Sequence, residues 1–304
     1  MQPWEQLPFS LRQLQYLVAV ADLGGFRRAA EACGVAQPSL SAQVAQVEDG
    51  LGVQLFERGA RGVRVTAVGA GLIERARQLL IAAADLRQSA MQQADPMTGT
   101  LRIGVIPTVC PYLLPDVAPA LHQSFPRLHL IWREDKTHAL TRDVQDGELD
   151  GAILALDATL SRFDHVTIGV DPFVLAAAPK HPIVRQRGPA SRGALDGATV
   201  LLLEDGHCFR EQALAVCGAS GATEGEWRAT GLSTLVQMVG SGTGITLLPS
   251  LAVPIENRRG QLRTRKFKDP APSRTLVLAW RKGAAHGRAL SAIADRLAAL
   301  WRRR

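Results

Sequence analysis

No apolar run in this 304-residue chain reaches the ~18–20 residues that a bilayer-spanning helix needs. There is no internal repeat and no low-complexity stretch. The N-terminal MQPWEQLPFSLRQLQ has no basic segment leading into an apolar one. Transmembrane, secreted, collagen-like and disordered classes are set aside, and the expectation is a cytoplasmic protein with no membrane partner. A content of 46% hydrophobic and 21% charged residues is ordinary globular composition. Cysteine is scarce: Cys33, Cys110, Cys208 and Cys217 are the four. That excludes a disulfide-stapled miniprotein, and in a reducing compartment a bridge among them is expected to be transient or regulatory. The seven histidines are scattered, with no Cys/His spacing of a zinc site. Gly240-Ser241-Gly242-Thr243-Gly244 lacks the Lys-Ser/Thr ending of a phosphate loop and reads as a hinge or strand-entry turn. Neither a metal nor a cofactor is expected.

Lysine is absent from residues 1–100, where nine arginines balance nine acidic residues. Residues 101–254 carry a net charge of −4 and residues 255–304 a net of +11, so the overall +7 sits in the last fifty residues. A solvated basic surface explains that excess. Any case for DNA binding has to rest on a motif.

The length suits two or three domains. From Leu11 to about Ala94 the pattern is almost all helical, with Leu14, Leu17, Val18 and Ala21 at helical spacing. Gly24-Gly25 ends the first helix; Phe26 to Cys33 forms a second; Gly34 makes a turn; a third runs from about Gln37 to Asp49. Two short β-prone pieces, near Gln54–Phe56 and Val63–Thr66, flank a basic hairpin tip. Thr66 suits the N-cap of a long helix over about residues 67–93. Pro96 and Gly99 mark a linker. Beyond it strands alternate with helices, which predicts an α/β domain with a mostly parallel sheet and room for two lobes around a cleft.

Helix, glycine turn, helix is the helix-turn-helix plan. Ala29 and Ala30 are small enough for close approach, and Pro38 suits the first turn of the second helix. Gln37, Ser39, Ser41 and Gln43 are the expected exposed positions, able to bond base edges or phosphates in a major groove. Arg58, Arg61 and Arg64 suit phosphate contact or minor-groove insertion. An αα-hairpin with a polar surface fits the periodicity equally well.

The residues themselves are more specific. FRRAAEACGVAQPSLSAQVAQVEDGLGVQLFERGARGVRVTAVG resembles, over its whole length, the winged helix-turn-helix of LysR-type transcriptional regulators. The resemblance implies three regions: a DNA-binding domain over residues 1–66, a linker and dimerisation helix over 67–96, and a sensor over 97–304. The sensor would be two-lobed and α/β, like periplasmic binding proteins. Pro38 is carried over with Gln37, Ser39, Ser41, Gln43, Arg58 and Arg61 as DNA-binding residues. Ala42 departs from the larger residue often found at its position. An apolar seam on the long helix needs another helix, and a symmetric partner is the simplest source.

In LLLEDGHCFREQALAVC, residues 201–217, an apolar strand gives way to turn chemistry at Glu204-Asp205-Gly206 and then to helix formers. Cys208 therefore sits at or near a helix N-terminus, beside His207 and close to Arg210. Each of these features stabilises a thiolate. Cys217 follows nine positions later. Were the segment helical, the two Cα atoms would lie ~13 Å apart, whereas a disulfide needs about 7 Å or less. Either these are two inert buried cysteines, or a bond between them requires residues 209–216 to unwind, which makes a switch.

EDGHCFREQALAVC closely resembles the redox segment of the hydrogen-peroxide-sensing branch of the LysR family. IPTVCPYLLP, KTHAL and RATGLSTLVQMVGSGTGITLLPSLAVP resemble that branch as well. By position the resemblance implies that Cys208 is peroxidatic and Cys217 resolving, and that Thr108, Thr137 and His207 position the oxidant. It also implies a tetramer of paired dimers on double-stranded promoter DNA that contacts RNA polymerase once hydrogen peroxide has oxidised it. Cys110 stands where relatives often have glycine and is expected to pack, as is Cys33. Trp227, Trp280 and Trp301 read as packing residues. A regulator controlled by a small metabolite between the lobes is the alternative. A thiol peroxidase would leave the helix-turn-helix without a role, so no enzyme is expected.

Overall fold

The computed structural model describes residues 7–59, 62–92 and 95–304. The chain divides into two compact units, Met1–Met91 and Gln92–Arg304.

In the first unit, α1 (Leu11–Leu23) opens on a capping box. The Ser10 hydroxyl accepts from the Gln13 N–H, and the Gln13 side chain accepts from the Ser10 N–H. Helices α2 (Phe26–Cys33) and α3 (Gln37–Leu51) follow, and Gly34 between them adopts φ +66°, a conformation that only glycine takes without strain. Leu14, Leu17, Val20, Leu40, Val44 and Val47 form the shared core, with Ala29 fully buried where α2 approaches. The wing consists of β1 (Phe56–Gly59) and β2 (Gly62–Val65), paired antiparallel. It starts later than the expected Gln54–Phe56. The Glu48 carboxylate accepts from the Leu55 and Phe56 N–H groups at 2.7 and 3.1 Å, so this stretch is bonded to α3 before the ladder begins. Thr66 caps α4 (Ala67–Gln92) by accepting from the Gly69 N–H at 2.9 Å. Gly69 has no room for a side chain, because a Cβ would collide with the Leu55 carbonyl.

The second unit holds β3 (Gly99–Val105), α5 (Cys110–Ser124), β4 (Leu128–Glu134), α6 (Thr137–Gln145), β5 (Gly151–Ala155) and the 15-residue β6 (Phe163–Ala177). Then come α7 (Pro182–Arg185), β7 (Thr199–Leu203), α8 (Cys208–Gly218), β8 (Thr223–Ala229), α9 (Leu232–Gly240) and β9 (Ile245–Pro249). The chain ends with α10 (Val253–Glu256), β10 (Arg263–Lys266), β11 (Ser273–Arg281) and α11 (Gly287–Trp301). The strand order is β4-β3-β5-β11-β6-β9-β7-β8, with β10 beside β6.

The sheet is mixed rather than mostly parallel. Pairs β3–β4, β3–β5, β7–β8 and β7–β9 are parallel, and β5–β11, β11–β6, β6–β9 and β6–β10 are antiparallel. The reason is connectivity. β6 pairs with β11 in its first part and with β9 and β10 in its second, so the strand passes from one half of the sheet to the other. Two hydrophobic cores result. Lobe I gathers around β3, β5, β11 and α11, and lobe II around β7, β9 and α9. Trp280 is buried, but Trp227 is 61% exposed, against the packing expected of it; it lies on β8, which pairs only with β7.

Candidate redox site and nucleic-acid interface

β7 runs into Glu204-Asp205-Gly206, whose Gly206 has φ +90°, and His207 is the N-cap of α8. Cys208 is the first residue of that helix. Its neighbours part company here: Cys208 packs into the core of lobe I, whereas Phe209, Val216 and Cys217 pack into that of lobe II. All four cysteines are free thiols. Since α8 is unbroken from Cys208 to Gly218, nine residues of helical rise separate the two thiols by ~13 Å.

Thr137 reaches Cys208 directly, His207 precedes it as the N-cap of α8, and Thr108 is linked to this corner of the sensor through Arg274. The Thr137 hydroxyl is directed at the Cys208 sulfur, and its Oγ1 has no nitrogen or oxygen partner among the described residues. His207 is 5% exposed and bonds the Thr230 backbone, while its Nε2 is buried without a partner. Buried Thr108 is held by Arg274, which donates to its Oγ1 at 2.6 Å and to its carbonyl at 2.9 Å. Arg274 also pairs with buried Asp171 at 2.9 Å and lies 5.5 Å from the Phe209 ring centroid.

Burial pushes the Cys208 thiol above its ordinary range. The Thr137 hydroxyl, the Arg274 guanidinium and the Phe209 N–H pull the other way, toward the thiolate. Burial and the Lys136 ammonium hold His207 below the usual imidazole value, which keeps it neutral at pH 7. Burial alone raises Cys217 to about 11. Arg210 does not do what was expected of it. Its guanidinium is taken up by Asp205 at 2.9 Å, the Leu203 carbonyl at 3.2 Å and Glu224 at 2.8 Å, and the cation that favours the thiolate is Arg274. Arg274 and Asp171 carried no sequence signal, because Arg274 lies 166 residues from Thr108. Cys110 is half-buried against lobe I, and its thiol bonds Glu134, which together with burial raises it to about 12.

On the helix-turn-helix, Gln37, Pro38 and Ser39 are exposed, as are Ala42 and Arg64. Ser41 and Gln43 are half-buried rather than exposed, because they flank the inward stripe of Leu40, Val44 and Val47. Arg61 and the side chain of Arg58 lie outside the described residues. No helix of the described residues is long and apolar enough to cross a membrane.

Comparison with known proteins agrees with this layout. The family model "Bacterial regulatory helix-turn-helix protein, lysR family" matches residues 11–70, and "LysR substrate binding domain" matches 94–302. A hydrogen peroxide-inducible genes activator from Dickeya chrysanthemi is 45% identical over 275 residues, 90% of each chain. Among solved structures, a cysteine-to-aspartate variant of full-length OxyR from Pseudomonas aeruginosa matches with a TM-score of 0.75 at 35% identity, covering 95% of this chain and 94% of that one. A hydrogen-peroxide-bound cysteine-to-serine variant of Corynebacterium glutamicum OxyR matches with a TM-score of 0.65 at 32% identity, covering 98% and 96%. This chain belongs to the LysR family of transcriptional regulators, in its OxyR branch.

Proposed function

We propose that the protein is a hydrogen-peroxide-responsive transcriptional activator, switched by reversible formation of a Cys208–Cys217 disulfide. The observation that carries the reading is the placement of Cys208: the first residue of α8, embedded in lobe I, with the Thr137 hydroxyl directed at its sulfur and a buried His207 Nε2, unpartnered among the described residues, on the residue before it. Unpartnered buried donors and acceptors are destabilising until something bonds them. A peroxide molecule brings two acceptor oxygens and two donor hydrogens of the right size.

The Cys208 thiolate attacks one peroxide oxygen. An S–O bond forms, the O–O bond breaks, and sulfur gives up two electrons. The departing hydroxide collects a proton and leaves as water, stabilised meanwhile by the hydroxyls of Thr137 and Thr108. The Cys217 thiol then displaces water from the sulfenic acid and closes the disulfide. Because helical geometry keeps the two sulfurs apart, closure requires α8 to unwind, and that withdraws Cys208 from lobe I or Cys217 from lobe II. A two-electron dithiol reductant of the cytoplasm resets the pair. Without one the chain turns over no peroxide, in keeping with a regulator rather than an enzyme. The N-terminal unit binds double-stranded promoter DNA through α3 and the wing. The dimer forms along α4 and assembles into a tetramer, and the oxidised state recruits RNA polymerase.

The test is direct. The purified full chain is treated with a slight excess of hydrogen peroxide, free thiols are blocked, and the peptides are mapped. A Cys208–Cys217 bridge that dithiothreitol reverses, with an altered DNA footprint, is the expected result. Unchanged thiols would remove the reading, and a footprint that answers to a small metabolite instead would favour ligand control.

A further inference from the structure

Two charged side chains meet between the lobes within a few residues of Cys208. Lys136, on lobe I, is the N-cap of α6 and immediately precedes Thr137. Glu204 and Asp205, on lobe II, lead from β7 into α8. Lys136 Nζ lies 2.5 Å from Glu204 Oε1 and donates to the Asp205 carbonyl at 3.1 Å. The lysine stem lies over Gly206, where an added Cβ would come within 3.1 Å of it. The Asp135 carboxylate in turn accepts from the Lys136 N–H at 2.8 Å. One ion pair therefore joins the start of the helix that carries Thr137 to the start of the helix that carries Cys208.

We propose that Lys136 and Glu204 are positioning residues for the peroxide reaction, a clasp between the lobes that holds the Thr137 hydroxyl and His207 against the Cys208 sulfur. The inference rests on the peroxide chemistry proposed above. Both side chains are 38% exposed, and a pair so placed adds little to folding stability. What it sets is distance, and a displacement of about 1 Å at a reacting centre can slow a reaction about 100-fold. The pair also bears on His207. Of the charged groups around that imidazole, Lys136 lowers its pKa and Glu204 raises it; neutral Cys208 follows it in the chain, and Asp205 is turned to Arg210 and Arg228. Without Lys136 the imidazole protonates at a higher pH.

The experiment isolates the first step. In a full-length Cys217→Ser background the reaction stops at the Cys208 sulfenic acid, which dimedone traps, and its rate of formation is followed against pH. Adding Lys136→Met is expected to slow it about 10- to 100-fold, with a smaller loss at pH 6 than at pH 8, because the imidazolium that then forms at His207 favours the Cys208 thiolate. Lys136→Arg restores most of the rate. The reversed pair, Lys136→Glu with Glu204→Lys, is faster at pH 8 than either single reversal. High salt slows the parent toward the Lys136→Met rate, since an exposed pair is screened. An unchanged rate and pH profile in folded Lys136→Met protein overturns the clasp. So does a uniform slowing that neither Lys136→Arg nor the reversed pair relieves. A Cys217→Ser parent that forms no sulfenic acid refutes the peroxide reading itself, and the clasp with it.

Discussion

Cys208 has to react as an anion, yet it is buried in a protein core, and burial disfavours the charge. Below its raised pKa the thiolate fraction grows about tenfold per pH unit. The rate of peroxide consumption is therefore expected to climb steadily from pH 6 to pH 8, as stopped-flow measurement of Cys208 oxidation would register. A flat profile would mean the thiolate is already formed. Cys208→Ser is expected to abolish disulfide formation and the redox-dependent change of footprint while DNA binding by the untreated protein persists; gel shifts with and without peroxide test this. Cys217 gives a purely energetic prediction. Its thiol rises from 9.0 to about 11 on folding, so above pH 9 the unfolded chain releases a proton that the folded chain retains. Its share of stability is complete below about pH 9 and is lost as pH rises to about 11, a change of about 3 kcal/mol. Denaturant titrations of wild type and Cys217→Ala should differ by roughly this slope over that window.

At the level of the element, α8 is a helix with reasons to let go. Among the described residues, Gln212 Oε1 is buried without a partner, as is His207 Nε2 at its N-terminal end. Each such atom costs about 1–3 kcal/mol. Exposed Ala215 offers a probe that touches no packing. Ala215→Gly lowers helix propensity by about 1 kcal/mol. If unwinding limits closure, the disulfide should form about fivefold faster after the sulfenic acid appears, as quenched-flow alkylation would measure; no acceleration would place the barrier elsewhere. The segment's helical character was legible in Arg210 to Val216, which are good helix formers. The partners of Arg210 were not, because Glu224 reaches it only through the β7–β8 pairing.

Over the whole molecule, the long helix α4 carries apolar residues that its own unit does not cover. Ile73 and Ala76 join the helix-turn-helix core, but Leu79 is 48% and Leu86 75% exposed. Such a stripe calls for a partner helix. Leu79→Glu with Leu86→Glu should lower the mass measured by light scattering. It should also weaken operator binding by about 100-fold or more, because two linked recognition helices bind with far higher avidity than one. Retention of the full mass would assign assembly to another surface.

The amino-acid sequence by itself determined the helix-turn-helix, its glycine turns, the passage to alternating strands and helices, and the position of Cys208 at or near a helix N-terminus. All of these depend on local propensity and on residues close together in the chain. Tertiary structure alone decided which cation faces the thiol, how the crossing strand β6 makes the sheet mixed, and how consecutive residues Cys208 and Phe209 come to lie in the cores of different lobes. Those outcomes depend on contacts between residues far apart in sequence, where no local pattern records the partner.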